Sequence, residues 1–284
     1  MAGAVLDRPV ESPTTSAGGP GLWSRVMTWL GQRIVAIFGL LVLVYLFLPV
    51  MLVVAFSFND VQGRFNFTWQ GFSLKNWANA CGVPGLCPAV GRSLQVAVIA
   101  TIGATILGTL IAFALVRHSF RGRTAANLLI YLPMATPELV MGSSLLALFL
   151  NLGVSRGLPT ILIGHVMFNI SYVVVMVKAR LQGHDARLEE AAMDLYADEW
   201  TTFRKVTLPL AMPGIVAGGL LAFALSFDDF VITSFVAGTE VTFPVYVWGA
   251  AQRGVPAQVN VVATFMFVLA VTAMLAGLAV QRRK

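Results

Sequence analysis

Charged residues are scarce in this sequence. Only 11% of its 284 residues are Asp, Glu, Lys or Arg, whereas 57% are hydrophobic. Soluble domains carry about 25% charged residues, so this composition excludes an ordinary water-soluble protein. Several uncharged runs reach the roughly 20 residues that a helix needs to cross a bilayer, and none alternates like a membrane β-barrel strand. The sequence therefore predicts an all-α membrane protein.

The sequence also lacks the common motifs for nucleotide and metal binding. It has neither a glycine-rich phosphate loop nor a dinucleotide-binding fingerprint, so we expect no ATP site in this chain. It has no His-Glu-x-x-His motif, and its two cysteines and three scattered histidines indicate no metal site. The net charge is +6, but the basic residues form no single patch. We expect no cofactor bound by this chain, no catalytic site and no nucleic-acid partner.

The two cysteines, Cys81 and Cys87, lie in a predicted outer loop, at about 59–91. Pro84 and Gly85 between them supply the turn that a small disulfide ring requires. Two free thiols are an open alternative, because so short a ring adds little stability. The same loop is rich in Phe and Trp, which is typical of a segment at the membrane interface.

Six apolar runs predict six transmembrane helices. Most of the 19 Lys and Arg residues fall in the loops on the side of the two termini, so the positive-inside rule places both termini in the cytoplasm. We predict a disordered cytoplasmic tail at 1–25 and one transmembrane domain at 26–284. The six predicted spans are about 34–58, 94–116, 126–150, 158–177, 212–236 and 258–280.

Three carboxylates fall inside predicted spans, where a charged group costs on the order of 3 kcal/mol. They are Glu138 in the third span and Asp228 and Asp229 in the fifth. Adjacent helical residues point about 100° apart, and Asp229 shares a face with Ser226 and Thr233. We predict that Asp229 faces a hydrated path and that Asp228 pairs with a neighbouring helix or subunit. The alternative is that all three acids are structural, and for Glu138 it carries equal weight.

Ser143 in the third span and His165 in the fourth allow a hypothesis of another class, an intramembrane serine protease. That hypothesis requires a hydrogen bond between the two side chains. Small residues such as Gly142 more often mark close helix packing, as do Gly214 and Gly218 in their GxxxG arrangement. We therefore favour the packing role.

A charged stretch, EEAAMDLYADEWTTFRKVTLPLAMP at 189–213, separates the fourth and fifth spans. It predicts two short helices. Leu188, Ala192 and Leu195 share one face of the first, and Asp198 is a suitable N-cap for the second. An amphipathic hairpin lying against the membrane is the alternative interpretation.

This stretch resembles the cytoplasmic coupling loop of ABC importer permeases. The family has glycine where this chain has Tyr196. A left-handed tyrosine costs roughly 1–2 kcal/mol, so either the turn shifts or the loop is strained. The ATPase-coupling residues that the resemblance implies are Glu190, Ala191, Ala192, Asp194, Tyr196, Leu208 and Pro209.

Further segments resemble the spermidine/putrescine branch of that family, specifically the second permease of its pair. The resemblance extends from about Ile34 to the end of the chain, and in that branch the position of Glu138 is usually Asp. It implies the type I importer permease fold in the cell membrane. The segments are FSFND, FTWQGFSLKNW, VRHSFRGR, PMATPELVMG, SFDDFVITSFVAG and RGVPAQVNVVAT.

The resemblance also implies partners. They are a homologous permease, two ATPase subunits that hold ATP and Mg, an extracytoplasmic substrate-binding protein and the surrounding lipid. The loop at 184–211 would couple this chain to an ATPase, whose closure would switch the helices between inward-facing and outward-facing states. A polyamine substrate is consistent with the predicted intramembrane carboxylates, because an ammonium group in a membrane needs a compensating negative charge. An importer of another small cationic or organic solute is the alternative.

Overall fold

The computed structural model describes residues 22–63, 65–183, 185 and 187–281. Two compact units, Met1–Ala55 and Phe56–Lys284, make up the chain. The tail predicted at 1–25 lies outside the described residues, except for its last four positions, which belong to the first helix. In the described ranges the chain is helical, apart from loops and one isolated antiparallel bridge between Asn59 and Phe72.

The described residues form twelve α-helices. A π-helical segment, Phe203–Thr207, joins the eighth helix to the ninth, so Glu199–Asp228 is one continuous helix. The bounds are α1 Leu22–Phe56, α2 Lys75–Ala78, α3 Leu86–Arg117, α4 Arg123–Ala135, α5 Glu138–Asn151, α6 Leu158–Gln182, α7 Arg187–Asp194, α8 Glu199–Thr202, α9 Leu208–Asp228, α10 Val231–Val236, α11 Phe243–Arg253 and α12 Ala257–Gln281.

Helix α1 accounts for the described part of the first unit. Its apolar part, Trp29–Phe56, has a mean hydropathy of 2.9 and is long enough to cross a membrane. Pro49 lies inside the helix. The helix begins at Leu22, well before the predicted start of the first span at about 34.

Helices α3, α6 and α9 pack together as the centre of the second unit. Glycines allow the close approach. A Cβ atom added at Gly108 would lie 2.8 Å from Cβ of Val173, and one at Gly214 would lie 2.6 Å from Cβ of Arg180. At Gly218 the nearest atom would be the Cα of Val173, at 3.3 Å. The packing role predicted for the GxxxG arrangement is confirmed.

The predicted third span is not one helix. Helices α4 and α5 meet at 105°. Pro137 has no backbone N–H and disfavours helical geometry in the residue before it, and Thr136 is extended, with φ −80° and ψ 130°. The prediction of a continuous helix over 126–150 is therefore wrong.

The predicted fifth span is also interrupted. Helix α9 ends at Asp228, Asp229 is extended with φ −65° and ψ 118°, and α10 begins at Val231. At the other end, α9 continues without a break from the second helix of the charged stretch. The continuous helix predicted over 212–236 is wrong at both ends.

Four helices of the described chain are long and apolar enough to cross a membrane, or five if the bent pair α4–α5 counts as one span. The four are in Trp29–Phe56, Leu86–Arg117, Leu158–Gln182 and Glu199–Asp228, and a shorter apolar stretch is Ala257–Thr272. Six spans and two cytoplasmic termini remain predictions.

The loop between α1 and α3 is organised by a disulfide and a buried asparagine. Cys81 and Cys87 are bonded, with their Cα atoms 5.5 Å apart, so the free-thiol alternative is wrong. Gly85, with φ 84°, provides the turn. The side-chain amide of Asn59 donates to the side chain of Asn66 at 2.7 Å and to a loop carbonyl at 2.8 Å. These bonds fix the chain where it leaves α1.

Candidate functional site

A buried polar network lies where α6 meets the break between α9 and α10. Nε2 of His165 lies 2.9 Å from Oγ1 of Thr233 and 3.2 Å from Oδ2 of Asp229. The backbone N–H and the hydroxyl of Thr233 both donate to Oδ2 of Asp229, each at 2.8 Å. The histidine and aspartate side chains are 1% and 8% exposed. Asp229 thus caps the first turn of α10 and binds α6 at the same time.

The network continues one turn along α6. The side-chain amide of Asn169 donates to Oγ of Ser226 and to the carbonyl of His165, each at 2.8 Å. Two buried atoms at this site, Nδ1 of His165 and Oδ1 of Asn169, have no hydrogen-bond partner within the described part of the chain. Ser226 and Thr233 therefore help to join α6 to the α9–α10 break.

The structure places the two adjacent aspartates in different surroundings, and the pairing of Asp228 with a neighbouring subunit stays a prediction. Asp229, predicted to face a hydrated path, is packed inside its own chain, whereas Asp228 is exposed. The prediction assumed a continuous helix with 100° between residues, but the helix ends at Asp228. The shared face of Asp229, Ser226 and Thr233 turns inward, toward His165 and Asn169.

Glu138 lies at the other helix break. It is exposed in the first turn of α5, where the helix dipole favours a negative charge. Helix α5 packs on α10, and a Cβ added at Gly142 would lie 2.6 Å from the ring of Phe235. The two broken helices therefore bring all three acids into one region.

Two aromatic residues close to Asp228 in the sequence, Phe227 and Phe230, take part in ring contacts. The ring of Phe227 lies 6.4 Å from that of Phe243, and the ring of Phe230 lies 5.1 Å from that of Trp248. Asp228 sits between Phe227 and Phe230 in the chain. Carboxylates beside aromatic faces are the groups that bind organic ammonium ions, by charge and by cation–π attraction.

The serine protease hypothesis is wrong. Ser143 is exposed, and its hydroxyl donates to the carbonyl of Val140 at 3.1 Å. His165 is buried and engaged with Asp229 and Thr233 instead. The serine and the histidine therefore form no nucleophile–base pair.

The charged stretch forms the two helices that the sequence predicted, α7 and α8. Helix α7 ends in a Schellman motif, in which the N–H of Tyr196 donates to the carbonyl of Met193 at 2.9 Å and that of Ala197 to Ala192 at 3.1 Å. Tyr196 has φ 62°, and no other non-glycine residue in the described ranges has a positive φ. The turn therefore stays at the position where the resembling permeases have glycine, and it is strained.

Helix α8 begins at the predicted N-cap. Oδ1 of Asp198 accepts a hydrogen bond from the backbone N–H of Thr201 at 3.1 Å. The hydrogen bonds from Thr201 hold the pKa of Asp198 below its usual value. Pro209 lacks the N–H that would bond the carbonyl four residues earlier, and the helix widens there into the π-helical segment Phe203–Thr207.

The predicted coupling residues divide by exposure. Ala192 and Leu208 are half-buried, and Leu208 and Pro209 lie in the first turn of α9 rather than in a loop. The exposed members are Glu190, Ala191, Asp194, Tyr196 and Pro209, and Tyr196 is 100% exposed. Their neighbours Leu188, Met193, Leu195 and Trp200 are large hydrophobic residues that are also exposed. Exposed apolar patches are a common feature of interaction surfaces.

Residues 104–283 match the family described as the binding-protein-dependent transport system inner membrane component. This chain belongs to that family. It is therefore a membrane-embedded permease subunit of a transport system and not an ATPase. Its place is the inner membrane.

Named relatives cover most of the permease. PotC of Escherichia coli strain K12, a spermidine/putrescine transport system permease, is 39% identical over 241 residues, 84% of this chain and 90% of PotC. PotC of Haemophilus influenzae is 41% identical over 233 residues, 82% of this chain and 90% of the relative. PotI of E. coli K12, a putrescine transport system permease, is 39% identical over 230 residues, 78% and 81% of the two chains.

Solved structures of ABC importers share the fold of this permease. A bacterial alginate ABC transporter, in complex with an alginate pentasaccharide-bound periplasmic protein, gives a TM-score of 0.67 at 15% identity, over 92% of this chain and 97% of the other. The MetNI methionine ABC transporter in an inward-facing form gives a TM-score of 0.55 at 18% identity. The match covers 70% of this chain and 95% of the other. At these identities the likeness concerns the fold alone.

Sequence reasoning missed several residues of the permease's polar sites. His165 entered only through the protease hypothesis, and Asn169 was not singled out, although polar residues four positions apart in an apolar span are a signal of a buried network. Arg117 and Glu189 were also missed as partners. They lie 72 residues apart in the chain, and no local pattern connects them.

Proposed function

We propose that this permease is a subunit of an ATP-driven importer for polyamines of the spermidine/putrescine class. It pairs with a homologous permease, and the two form the translocation path. Two cytoplasmic ATPase subunits supply the energy from ATP and Mg, and an extracytoplasmic binding protein delivers the substrate. The identity of 39% to both PotC and PotI over most of the chain carries this proposal. Six spans with cytoplasmic termini complete the topology.

The exposed acids at the two helix breaks supply the charge that a polyamine requires. Glu138 and Asp228 are exposed on this chain and can face a path shared with the second permease. A polyamine carries several ammonium groups, and each needs a carboxylate or an aromatic face inside the membrane. Phe230, two residues after Asp228 in the chain, packs on Trp248, and this pair offers such faces. Asp229 holds the break in its shape and takes part in the path through that role.

The loop at 184–211 couples the permease to an ATPase. Glu190 and the exposed apolar residues of α7 and α8 form the docking surface. Leu208 and Pro209 connect that surface directly to α9, because Glu199–Asp228 is one continuous helix. A movement of the loop is thereby transmitted along this helix to the break at Asp229.

Uptake by the reconstituted complex tests the substrate class. Proteoliposomes that contain both permeases, the ATPase subunits and the binding protein are expected to accumulate radiolabelled spermidine or putrescine only when ATP is supplied inside with the ATPase subunits. Accumulation of another cationic or organic solute, with no competition by either polyamine, would overturn the polyamine assignment and leave the importer assignment standing.

Co-purification tests the coupling surface. The wild-type permease is expected to retain its ATPase subunits through affinity purification, and Glu190→Lys is expected to lose them, because the substitution reverses the charge of an exposed residue at the docking surface. A wild-type permease that retains no ATPase subunit under any detergent condition would contradict the proposal.

A further inference from the structure

The first helix of the coupling loop is short and buries no side chain. Helix α7, Arg187–Asp194, is eight residues long and has no buried residue. Isolated helices shorter than about 12 residues are marginal in water, so tertiary contacts must fix this one. A helix that is to transmit force also needs a rigid attachment to the membrane helices.

Glu189 provides such an attachment. Arg117, the last residue of α3, donates from Nη1 and Nη2 to the two carboxylate oxygens of Glu189. The hydroxyl of Thr207 donates to Oε1 of Glu189 at 2.8 Å, and its oxygen lies 3.4 Å from Nη2 of Arg117. A two-pronged arginine–carboxylate pair fixes orientation as well as distance. We call these three residues the Arg117–Glu189–Thr207 contact.

The contact crosses a gap that apolar packing leaves open. Two cavities, of about 270 and 600 Å³, are both lined by Arg117, Glu189 and Thr207. Thr207 is buried and ends the π-helical segment that leads into α9. Polar groups therefore join α3, α7 and the start of α9 between two open spaces.

Two adjacent glutamates of α7, Glu189 and Glu190, point in different directions. Glu189 turns toward the membrane helices, with its side chain 18% exposed, whereas Glu190 is exposed on another face. Neighbouring positions on a helix point about 100° apart, so both orientations follow from one regular helix. One glutamate is engaged within the chain, and the other is available to a partner.

We propose that Arg117, Glu189 and Thr207 are positioning residues that make α7 move together with α3 and α9. Movement that an ATPase imposes on the Glu190 side of α7 then reaches the transmembrane helices instead of bending the loop. The source of that movement rests on the proposed function. The attachment itself is a property of this chain and is tested without an ATPase.

Hydrogen exchange of the purified full-length chain tests the attachment. Glu189→Gln and Arg117→Gln are expected to speed amide exchange in α7 about threefold or more, because each removes the ion pair. The charge swap Arg117→Glu with Glu189→Arg is expected to restore slow exchange. Arg187→Gln is the matched control, because it removes a different ion pair of α7, the one between Arg187 and Asp185. The side chains of Arg187 and Asp185 are 86% and 58% exposed. Unchanged exchange in both single variants would overturn the proposal.

Coupling efficiency in the reconstituted complex tests the consequence. The two single variants are expected to keep their ATPase subunits. The amount of substrate that they transport per ATP hydrolysed is expected to fall about threefold or more, and the charge swap is expected to recover most of this loss. An unchanged ratio in variants whose exchange is accelerated would overturn the coupling role. Loss of the ATPase subunits from the wild type would instead count against the proposed function.

Discussion

Nε2 of His165 lies 3.2 Å from Oδ2 of Asp229, and both side chains are almost fully buried. The pair connects a continuous helix, α6, to the point where α9 stops and α10 begins. A carboxylate in a membrane protein is costly unless it is hydrogen-bonded, and Asp229 also accepts bonds from the N–H and the hydroxyl of Thr233. The carboxylate of Asp229 therefore joins the start of α10 to α6 at the break.

Asp229→Ala is expected to lower the free energy of unfolding by about 2 kcal/mol. The substitution removes the cap of α10 and the buried carboxylate that lies beside His165 and accepts two hydrogen bonds from Thr233. Asp229→Asn keeps an acceptor oxygen, so it is expected to lower the free energy of unfolding by less than Asp229→Ala does. Thermal unfolding of the purified chain in detergent measures both. Asp228→Ala, at an exposed neighbour, is the control, and equal melting temperatures for Asp228→Ala and Asp229→Ala would contradict the structural role.

Gly108→Ala is expected to destabilise the packing of α3 on α6 by about 1–3 kcal/mol. The new methyl group would lie 2.8 Å from Cβ of Val173 and 3.2 Å from the carbonyl of Ile170, so the helices must separate. Gly249→Ala in α11 is the matched control, because nothing lies within 4 Å of its added Cβ. The same unfolding measurement should show Gly249→Ala neutral or slightly stabilising. A loss in Gly249→Ala as large as that in Gly108→Ala would refute the packing account.

Tyr196→Gly is expected to stabilise the coupling loop by roughly 1–2 kcal/mol, because glycine adopts a positive φ without strain. The tyrosine side chain is fully exposed, so its removal loses no packing within the chain. Tyr196→Ala keeps the strain and serves as the control. Amide exchange at the C-terminal end of α7 should slow in Tyr196→Gly alone. Equal exchange in the two variants would show that the left-handed turn costs nothing.

Glu138→Gln and Asp228→Asn are each expected to raise the KM for polyamine uptake about tenfold. Each removes one charged acceptor for an ammonium group, and a charge-assisted hydrogen bond is worth about 1.5 kcal/mol or more. Initial uptake rates over a range of spermidine concentrations measure the change. Glu240→Gln is the control for surface charge, because Glu240 already has a cation partner in Arg92, at 2.8 Å. A normal KM in both Glu138→Gln and Asp228→Asn would remove these acids from the substrate path.

Patterns local in the sequence predicted much of this chain. The apolar runs at about 94–116, 158–177 and 258–280 each lie within one helix. The N-cap at Asp198 and the two helices of the coupling loop are confirmed, and glycine spacing identified the packing of α9 on α6. These features depend on residues within one or two helical turns of each other. The sequence carries that information directly.

Features that depend on distant residues were beyond those patterns. The third span was predicted as a single stretch, 126–150, whereas α4 and α5 meet at 105° and α5 packs on α10. Asp229 was assigned by helical periodicity, but α9 ends at Asp228, and Thr233 and His165 contact the carboxylate of Asp229. Arg117 and Glu189 meet only because α3 ends beside the coupling loop.

The ATPase activity of the assembled complex tests the central claim most directly. The permease is reconstituted with its partner permease, the ATPase subunits and the binding protein, and ATP hydrolysis is measured with and without spermidine or putrescine. The account predicts that a polyamine stimulates hydrolysis in the wild type and that Asp228→Asn combined with Glu138→Gln shifts the stimulation to higher polyamine concentration. Hydrolysis that neither polyamine changes, but that a different solute stimulates, would contradict it.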